Sequence, residues 1–252
     1  MKRSRSLEKV ANMLSRLNWL KPIGRPIWRK LYTEPLENKR RKKFLENGLM
    51  LLKQFDKAMQ RANIPYSLVI GTLLGAVRDN GFIKHDLDID VAVWGDTDKE
   101  LIESILISNG FKLYRRIEVE QGAFGREETY VYKDVSIDLF YFYHIDERLK
   151  YTNVFVPFDD CRDFDESVSR YGGLLPIQLM LPLDKKVKYV PFLGIYVPIP
   201  INAIEFLEAR YGQSWRIPDP TFVYPKMGDA QVEYRKDKMG KIIYEDKSID
   251  LY

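Results

Sequence analysis

Residues 71–94 read GTLLGAVRDNGFIKHDLDIDVAVW, in which a small-residue turn at Gly71 precedes three aspartates at alternating positions, Asp86, Asp88 and Asp90. In a β-strand, alternate side chains share one face and lie roughly 6.6–7 Å apart. Asp88 and Asp90 can therefore converge on one or two Mg²⁺ ions, which prefer hard oxygen ligands. This pattern favours metal-dependent phosphoryl chemistry, in which a pair of ions straddles the transferred phosphate.

A solvent-facing polar strand edge is the competing explanation for Asp88 and Asp90. The apolar residues that alternate with them already supply a buried face on the opposite side of the strand: Ile89, Val91 and Val93. Carboxylates that recur on the other face, beside a Gly-Thr turn, are better explained by metal ligation. Asp86 precedes the strand, and two roles stay open for it. It could hold the metal ligands in position without contacting the ion, or it could cap the loop.

A third carboxylate, Asp138, lies in the segment SIDLF between two apolar residues of a predicted strand. A lone buried carboxylate is costly unless something compensates its charge, and a metal ion would do so. The alternative is that Asp138 faces water at the edge of a sheet.

Four residues around the turn and the aspartates are candidate substrate-binding groups. Gly71 and Thr72 can present a backbone N–H and a hydroxyl to phosphate oxygens at a helix N-terminus, where anions are favoured. Arg78 lies about 1.7 helical turns beyond Thr72 and could bind the donor phosphates, although a structural ion pair competes with that role. His85 could hydrogen-bond the donor or orient Asp86, or could be an ordinary surface residue.

The spacing GTLLGAVRxxGFIxxDxDIDV resembles that of the LicD family, which includes bacterial phosphocholine transferases and the animal fukutin and fukutin-related proteins. The later segment FLGIYVPIPINAIEFLEARYGQSW, residues 192–215, also resembles the C-terminal signature of that family. The resemblance extends over residues 45–219. The family commonly has Pro-Trp-Asp-Asp-Asp where this chain has Lys-His-Asp-Leu-Asp at residues 84–88, so the DxD pair is retained while its surroundings differ.

The resemblance implies an α+β fold: a nucleotidyltransferase-like mixed β-sheet flanked by helices, with helical N-terminal and C-terminal additions. It also implies transfer of a phospho-alcohol, such as phosphocholine, from a CDP-activated donor to a saccharide in cell-surface polysaccharide synthesis, with the acceptor lipid-linked or free. Mg²⁺, or else Mn²⁺, is the implied cofactor, held by Asp88, Asp90 and Asp138. In such a fold the third aspartate also activates the acceptor hydroxyl.

Two other functions stay open. Arg78 and the run from His85 to Asp90 also resemble the RxHxDLDI pattern of lincosamide and aminoglycoside resistance enzymes, which transfer the nucleotide itself to a small-molecule hydroxyl. A non-catalytic, membrane-associated scaffold that keeps the fold is the third possibility. The full turn spacing and the YGQSW segment favour the phospho-alcohol transferase.

Charge and composition divide the chain of 252 residues into three predicted parts: a basic amphipathic segment (1–43), a catalytic domain (44–220) and a charged tail (221–252). Residues 1–43 hold 14 Lys and Arg against 3 Glu, which accounts for the whole basic excess. This segment is expected either to bind an anionic membrane surface or to pack on the domain. A nucleic-acid partner is not expected.

The cellular location is predicted from what the composition excludes. A single cysteine, Cys161, rules out an intramolecular disulfide, and two histidines are too few for a Cys/His zinc site. No apolar run approaches the roughly 18–20 residues of a membrane-spanning helix. We therefore expect a cytoplasmic protein, either free or peripheral at the cytoplasmic membrane face.

Periodicity and turn residues predict the order of secondary-structure elements. A helix over 44–59 precedes a short strand at 66–70, and a capping box formed by Thr97 and Glu100 begins a helix that runs to Asn109. Three more strands are predicted at 111–119, 127–133 and 135–143, followed by an irregular stretch of loops or short helices at 146–176. A helix over 203–211 is capped by Asn202, and the end beyond Asp219 is predicted to be loose.

Overall fold

The computed structural model describes residues 34–219 and 231–249, so the predictions for residues 1–33 lie outside the described part of the chain. Its α-helices are α1 (Glu34–Arg61), α2 (Ile70–Arg78), α3 (Lys99–Ser108), α4 (Phe164–Tyr171) and α5 (Ala203–Tyr211). A short 3₁₀ turn covers Glu120–Gly122. None of the helices in these ranges is long and apolar enough to cross a membrane.

The strands follow in chain order. They are β1 (Ser67–Leu68), β2 (Asp88–Trp94), β3 (Lys112–Val119), β4 (Gly125–Tyr132), β5 (Val135–His144), β6 (Leu149–Val156), β7 (Leu175–Pro182), β8 (Val187–Phe192), β9 (Ile195–Pro200), β10 (Gln231–Tyr234) and β11 (Lys241–Glu245). Nine of them form one sheet, and β8 and β9 form a separate hairpin.

The main sheet runs in the order β10-β7-β6-β5-β4-β3-β11, with β2 paired to Ser136–Phe142 of β5 and β1 paired to β2. The β2–β5 pair is parallel, whereas the other pairs in the sheet are antiparallel. The predicted α+β class with a mixed sheet and flanking helices is confirmed. The parallel pair decides the site, because its register sets Asp90 opposite Asp138.

The helix α1 forms because apolar side chains recur along one stripe, as predicted for residues 44–59. Phe44, Leu51, Phe55 and Met59 are all buried, and the helix packs on β5, β2 and α3. Each such side chain contributes about 1.5–3 kcal/mol when fully removed from water. The helix ends before Pro65, as expected, and β1 follows within the predicted range.

The start of α3 differs from the prediction. Asp98, and not Thr97, is the N-cap residue, because the helix begins at Lys99 and the Oδ1 atom of Asp98 accepts the Leu101 N–H at 2.9 Å. Asn202 does precede α5, but its side chain makes no cap within that helix. Its Oδ1 atom accepts the Asp184 N–H at 3.0 Å instead, which ties α5 to the end of β7.

Two stretches predicted to be irregular belong to the sheet. Residues 149–156 form β6, which is paired on both sides by β5 and β7, whereas α4 confirms the short helix expected in the same stretch. Beyond Asp219, the expectation of a loose end is wrong for residues 231–249. There β10 pairs with β7 and β11 pairs with β3, so these residues form the two ends of the strand order.

Candidate active site

The predicted aspartates come together on one face of the sheet. Residues directly opposite each other in paired strands share a face, and adjacent strands lie about 4.8 Å apart. Asp90 of β2 is opposite Asp138 of β5, which in turn is opposite Thr129 of β4. Asp88 shares this face because it lies two residues before Asp90, and Glu127 shares it because it lies two residues before Thr129. We call Asp88, Asp90, Glu127 and Asp138 the carboxylate face.

The turn before α2 holds Asp90 in place. The Gly71 N–H donates to Oδ2 of Asp90 at 3.0 Å, and the Asp90 N–H donates to Oγ1 of Thr72 at 2.9 Å. A Cβ atom at Gly71 would lie 3.2 Å from oxygens of both Asp86 and Asp90, so this close approach favours glycine. The groups predicted to bind phosphate thus position a carboxylate in this structure, and direct phosphate contact by Gly71 and Thr72 stays a prediction.

Backbone strain accompanies this turn. Ile70 opens α2 with a φ of 48°, a left-handed conformation that is a genuine outlier for a β-branched residue. Such strain costs of order 1–3 kcal/mol and persists only where the surroundings fix it. Here the Val69 N–H donates to the Asp90 carbonyl at 3.2 Å, so both sides of Ile70 are tied to β2.

The loop before β2 places Asp86 beside the face. Its Oδ2 atom accepts the Ile83 N–H at 3.1 Å, which corresponds to the loop-capping role left open above. His85 is exposed on this loop. Arg78 donates from Nε and Nη2 to Asp79 at 2.9 and 2.8 Å, so the structural ion pair is formed. Binding of donor by Arg78 and His85 remains a prediction.

Burial and mutual repulsion disfavour ionisation of these carboxyl groups. Burial, with the charge of Asp88 as the next cause, raises the pKa of Asp138 to about 7, although a hydrogen bond from Thr129 opposes the change. Burial and the charges of Asp88, Asp138 and Asp86 raise the pKa of Asp90 well above its ordinary value. The pKa of Asp88 is raised by burial and opposed by Arg40 of α1.

Glu127 and Arg115 are the neighbours that sequence reasoning missed. Burial and then the charge of Asp138 raise the pKa of Glu127 to about 8, and Arg115 of β3 opposes that rise. The signal is the i, i+2 spacing of Glu127 and Thr129, which acquires meaning only when the register with Asp138 is known. Tyr211 of α5 completes the surroundings, since its pKa is raised chiefly by burial and further by the charges of Asp90 and Asp86.

The chemistry of this set fits a divalent cation. Oδ1 of Asp138 is a buried oxygen with no hydrogen-bond partner in the structure as described, and the repelling carboxylates offer the hard donors that Mg²⁺ prefers. No group of three His, Cys, Asp or Glu side chains within residues 34–219 and 231–249 is already arranged to hold a metal ion. Ligation by Asp88, Asp90 and Asp138 would therefore require side chains around Asp90 to rotate toward the ion, and it stays a prediction.

Comparison with known proteins agrees with this arrangement. Residues 63–202 match the family model described as LicD/FKTN/FKRP, nucleotidyltransferase domain, a range that contains the turn and the whole carboxylate face. Two similar proteins are the ribitol-5-phosphate transferases FKTN of Mus musculus and Homo sapiens. The chain is 24% identical to the first over 194 residues and 24% identical to the second over 190 residues. Each match covers 71% of this chain but only 35% of the relative, so the chain spans about a third of their length.

Proposed function

Because the chain belongs to the LicD/FKTN/FKRP nucleotidyltransferase family, we propose that it transfers a phospho-alcohol from a CDP-activated donor to a saccharide hydroxyl. The observation that carries this proposal is the parallel register of β2 and β5, which sets Asp90 opposite Asp138 with Asp88 on the same face. Phosphoryl transfer depends mainly on positioning and on neutralising charge, and this face can supply both.

Asp88, Asp90 and Asp138 would hold Mg²⁺, or Mn²⁺ in its place. Such an ion neutralises charge that develops on a transferred phosphoryl group. Asp90 is the fixed member, because the Gly71 N–H holds one of its carboxylate oxygens. Asp138 has an oxygen with no partner in the described structure, so it can accept a hydrogen bond from the acceptor hydroxyl and orient that hydroxyl for attack.

The proposed alcohol and acceptor are supported by the names of the relatives and by the sequence resemblance. The printed names of the FKTN relatives specify ribitol 5-phosphate, which supports a polyol phosphate as the transferred group. Phosphocholine is the other donor group implied by the sequence resemblance. We propose a saccharide of a cell-surface glycan as acceptor, with the protein working in the cytoplasm or at the cytoplasmic face of a membrane.

The test is metal-dependent release of CMP from a panel of CDP-choline, CDP-ribitol and CDP-glycerol. A donor that binds only the folded protein raises stability by about 2.7 kcal/mol at a hundred times its Kd, so thermal shifts with Mg²⁺ identify the donor first. Pyrophosphate release from a nucleoside triphosphate would indicate a resistance-type nucleotidyltransferase. Neither a shift nor product with any donor would favour the non-catalytic scaffold.

A further inference from the structure

Arg115 is a cation on the carboxylate face that none of the roles above uses. It is opposite Thr129 in the register of β3 and β4, and Thr129 is opposite Asp138. Arg115, Thr129, Asp138 and Asp90 therefore form one row across four adjacent strands. At about 4.8 Å between strands, the Cα atom of Arg115 lies roughly 10 Å from that of Asp138, a gap that a long side chain can partly bridge.

The guanidinium of Arg115 lies over two aromatic rings and makes no ion pair with any other residue that the structure describes. Its central carbon lies 4.9 Å from the ring centroid of Phe164 in α4 and 5.6 Å from that of Tyr114. A cation–π contact of this kind restrains the group without using its N–H groups, which can still donate to planar oxygen acceptors. Its Nε atom is buried and has no acceptor among the described residues, and no carboxylate in those ranges lies within 4.0 Å of its nitrogens.

The adjacent residue shows that an arginine of this sheet can be fully paired. Arg116, on the opposite face of β3, binds Glu128 and Glu103 at 2.6 Å each. Arg115 has the same reach and lies near Glu127 and Asp138, whose acidity it strengthens, yet it pairs with neither. A cation that lies near this site and has no anionic partner among the described residues suits an anionic ligand.

We propose that Arg115, stacked on Phe164, binds the donor diphosphate on the side of the carboxylate face opposite Gly71. The sheet order supports this side, because β2 adjoins the turn at Gly71 whereas β3 lies two strands beyond Asp138. A diphosphate over Asp90 and Asp138 would thus have Arg115 at its far end. The guanidinium fork can form two parallel N–H to oxygen bonds with one phosphate group. This assignment rests on the proposed function.

The experiment measures CDP binding to the full-length protein with Mg²⁺ by isothermal titration. Arg115→Gln should weaken CDP binding at least tenfold, as expected for the loss of a bidentate charged contact, while Lys112→Gln, an exposed cation of the same strand, should change it less than about twofold. Unchanged affinity for CDP in Arg115→Gln would overturn the proposal and leave the proposed function intact. If the wild-type protein itself does not bind CDP, the proposed function fails and this assignment fails with it.

Two further variants exclude a purely structural role, in which Arg115 only offsets the charge of Glu127. In that case the double variant Arg115→Gln/Glu127→Gln should recover wild-type CDP affinity, whereas a phosphate contact predicts that it stays weak. Arg115→Lys keeps the charge but loses the fork, so a phosphate contact predicts about a fivefold weaker Kd and a counter-charge predicts no change. The lysine variant decides the question if Arg115→Gln does not fold.

Discussion

Glu127 and Glu128 are neighbours in β4, but they lie on opposite faces of the sheet and in opposite electrostatic surroundings. Glu128 is fully buried, and its Oε1 atom accepts from Arg116 and Arg126 at 2.6 and 2.7 Å. Its Oε2 atom accepts the Tyr141 hydroxyl at 2.8 Å. Glu127 makes no ion pair or hydrogen bond within the described residues. After burial, the charge of Asp138 is the main cause that raises the pKa of Glu127.

This difference separates charged groups that stabilise the fold by pairing with one another from carboxyl groups that repel one another and can bind a cation. The ion network of Glu103, Arg116, Glu118, Arg126 and Glu128 pairs each of its charges with an opposite charge, although Nε of Arg126 has no acceptor among the described residues. On the carboxylate face, acidic groups are crowded and their pKa values rise, which costs stability in the free protein. Strongly perturbed carboxyl groups in such an arrangement are typical of functional sites, and a bound cation would relieve the repulsion.

The largest expected effect is on catalysis. Asp88→Ala or Asp90→Ala should lower turnover with the identified CDP donor by at least about 10³-fold, because metal-assisted charge stabilisation supplies several kcal/mol. The fold should persist, since like charges are removed. Steady-state kinetics measures turnover and circular dichroism measures folding, with the exposed Asp159→Asn as control. Activity within tenfold of wild type for either variant would refute the metal role.

The next effect falls on the buried ion network. Glu128→Gln should lower the free energy of unfolding by about 3–5 kcal/mol, because Arg116 and Arg126 are left without their shared carboxylate. Urea denaturation without metal measures it. The matched variant Glu127→Gln, one residue away, should cost nothing. An equal decrease in the free energy of unfolding for the two variants would show that the two faces of the sheet do not differ in this way.

Asp138→Asn should separate binding from turnover. The change is nearly isosteric, so donor affinity should be largely kept while kcat falls about 10²-fold, as for a group used chiefly with the reacting metal and hydroxyl. Titration with the donor measures its affinity, and steady-state kinetics measures kcat. An unchanged kcat would make Asp138 a structural carboxylate.

The last expected effect concerns the pH dependence of stability without metal. Folding raises the pKa of Glu127 from 4.5 to about 8, so its contribution to stability is fully present below pH 4.5 and is lost as pH rises through about 8. Glu127→Gln removes this titration, and its stability relative to wild type should therefore increase between about pH 5 and 9. Urea midpoints in EDTA test this, with the exposed Glu100→Gln as control. A pH-independent difference would contradict the raised pKa.

Much of the fold was predictable because its signals are local. The apolar stripe of α1 and the alternation in β2 are periodic patterns that predict one element each. By contrast, β6 was missed although its own sequence, LKYTNVFV, is rich in β-branched and aromatic residues, because it lies in the predominantly polar stretch 146–176; pairing with β5 and β7 fixes it as a strand. The strands β10 and β11 were missed for the same reason, since each lies in a charged tail and is fixed by pairing with a distant strand.

The sequence by itself determined the Gly71 turn, the paired Asp88 and Asp90 on one strand face, and the LicD/FKTN/FKRP family, because these depend on residues close together in the chain. Only the tertiary structure decided that Asp138 is opposite Asp90, and that Glu127 and Arg115 share their face. Those neighbours are set by the register between strands, and a shift of one residue would turn each side chain to the other face.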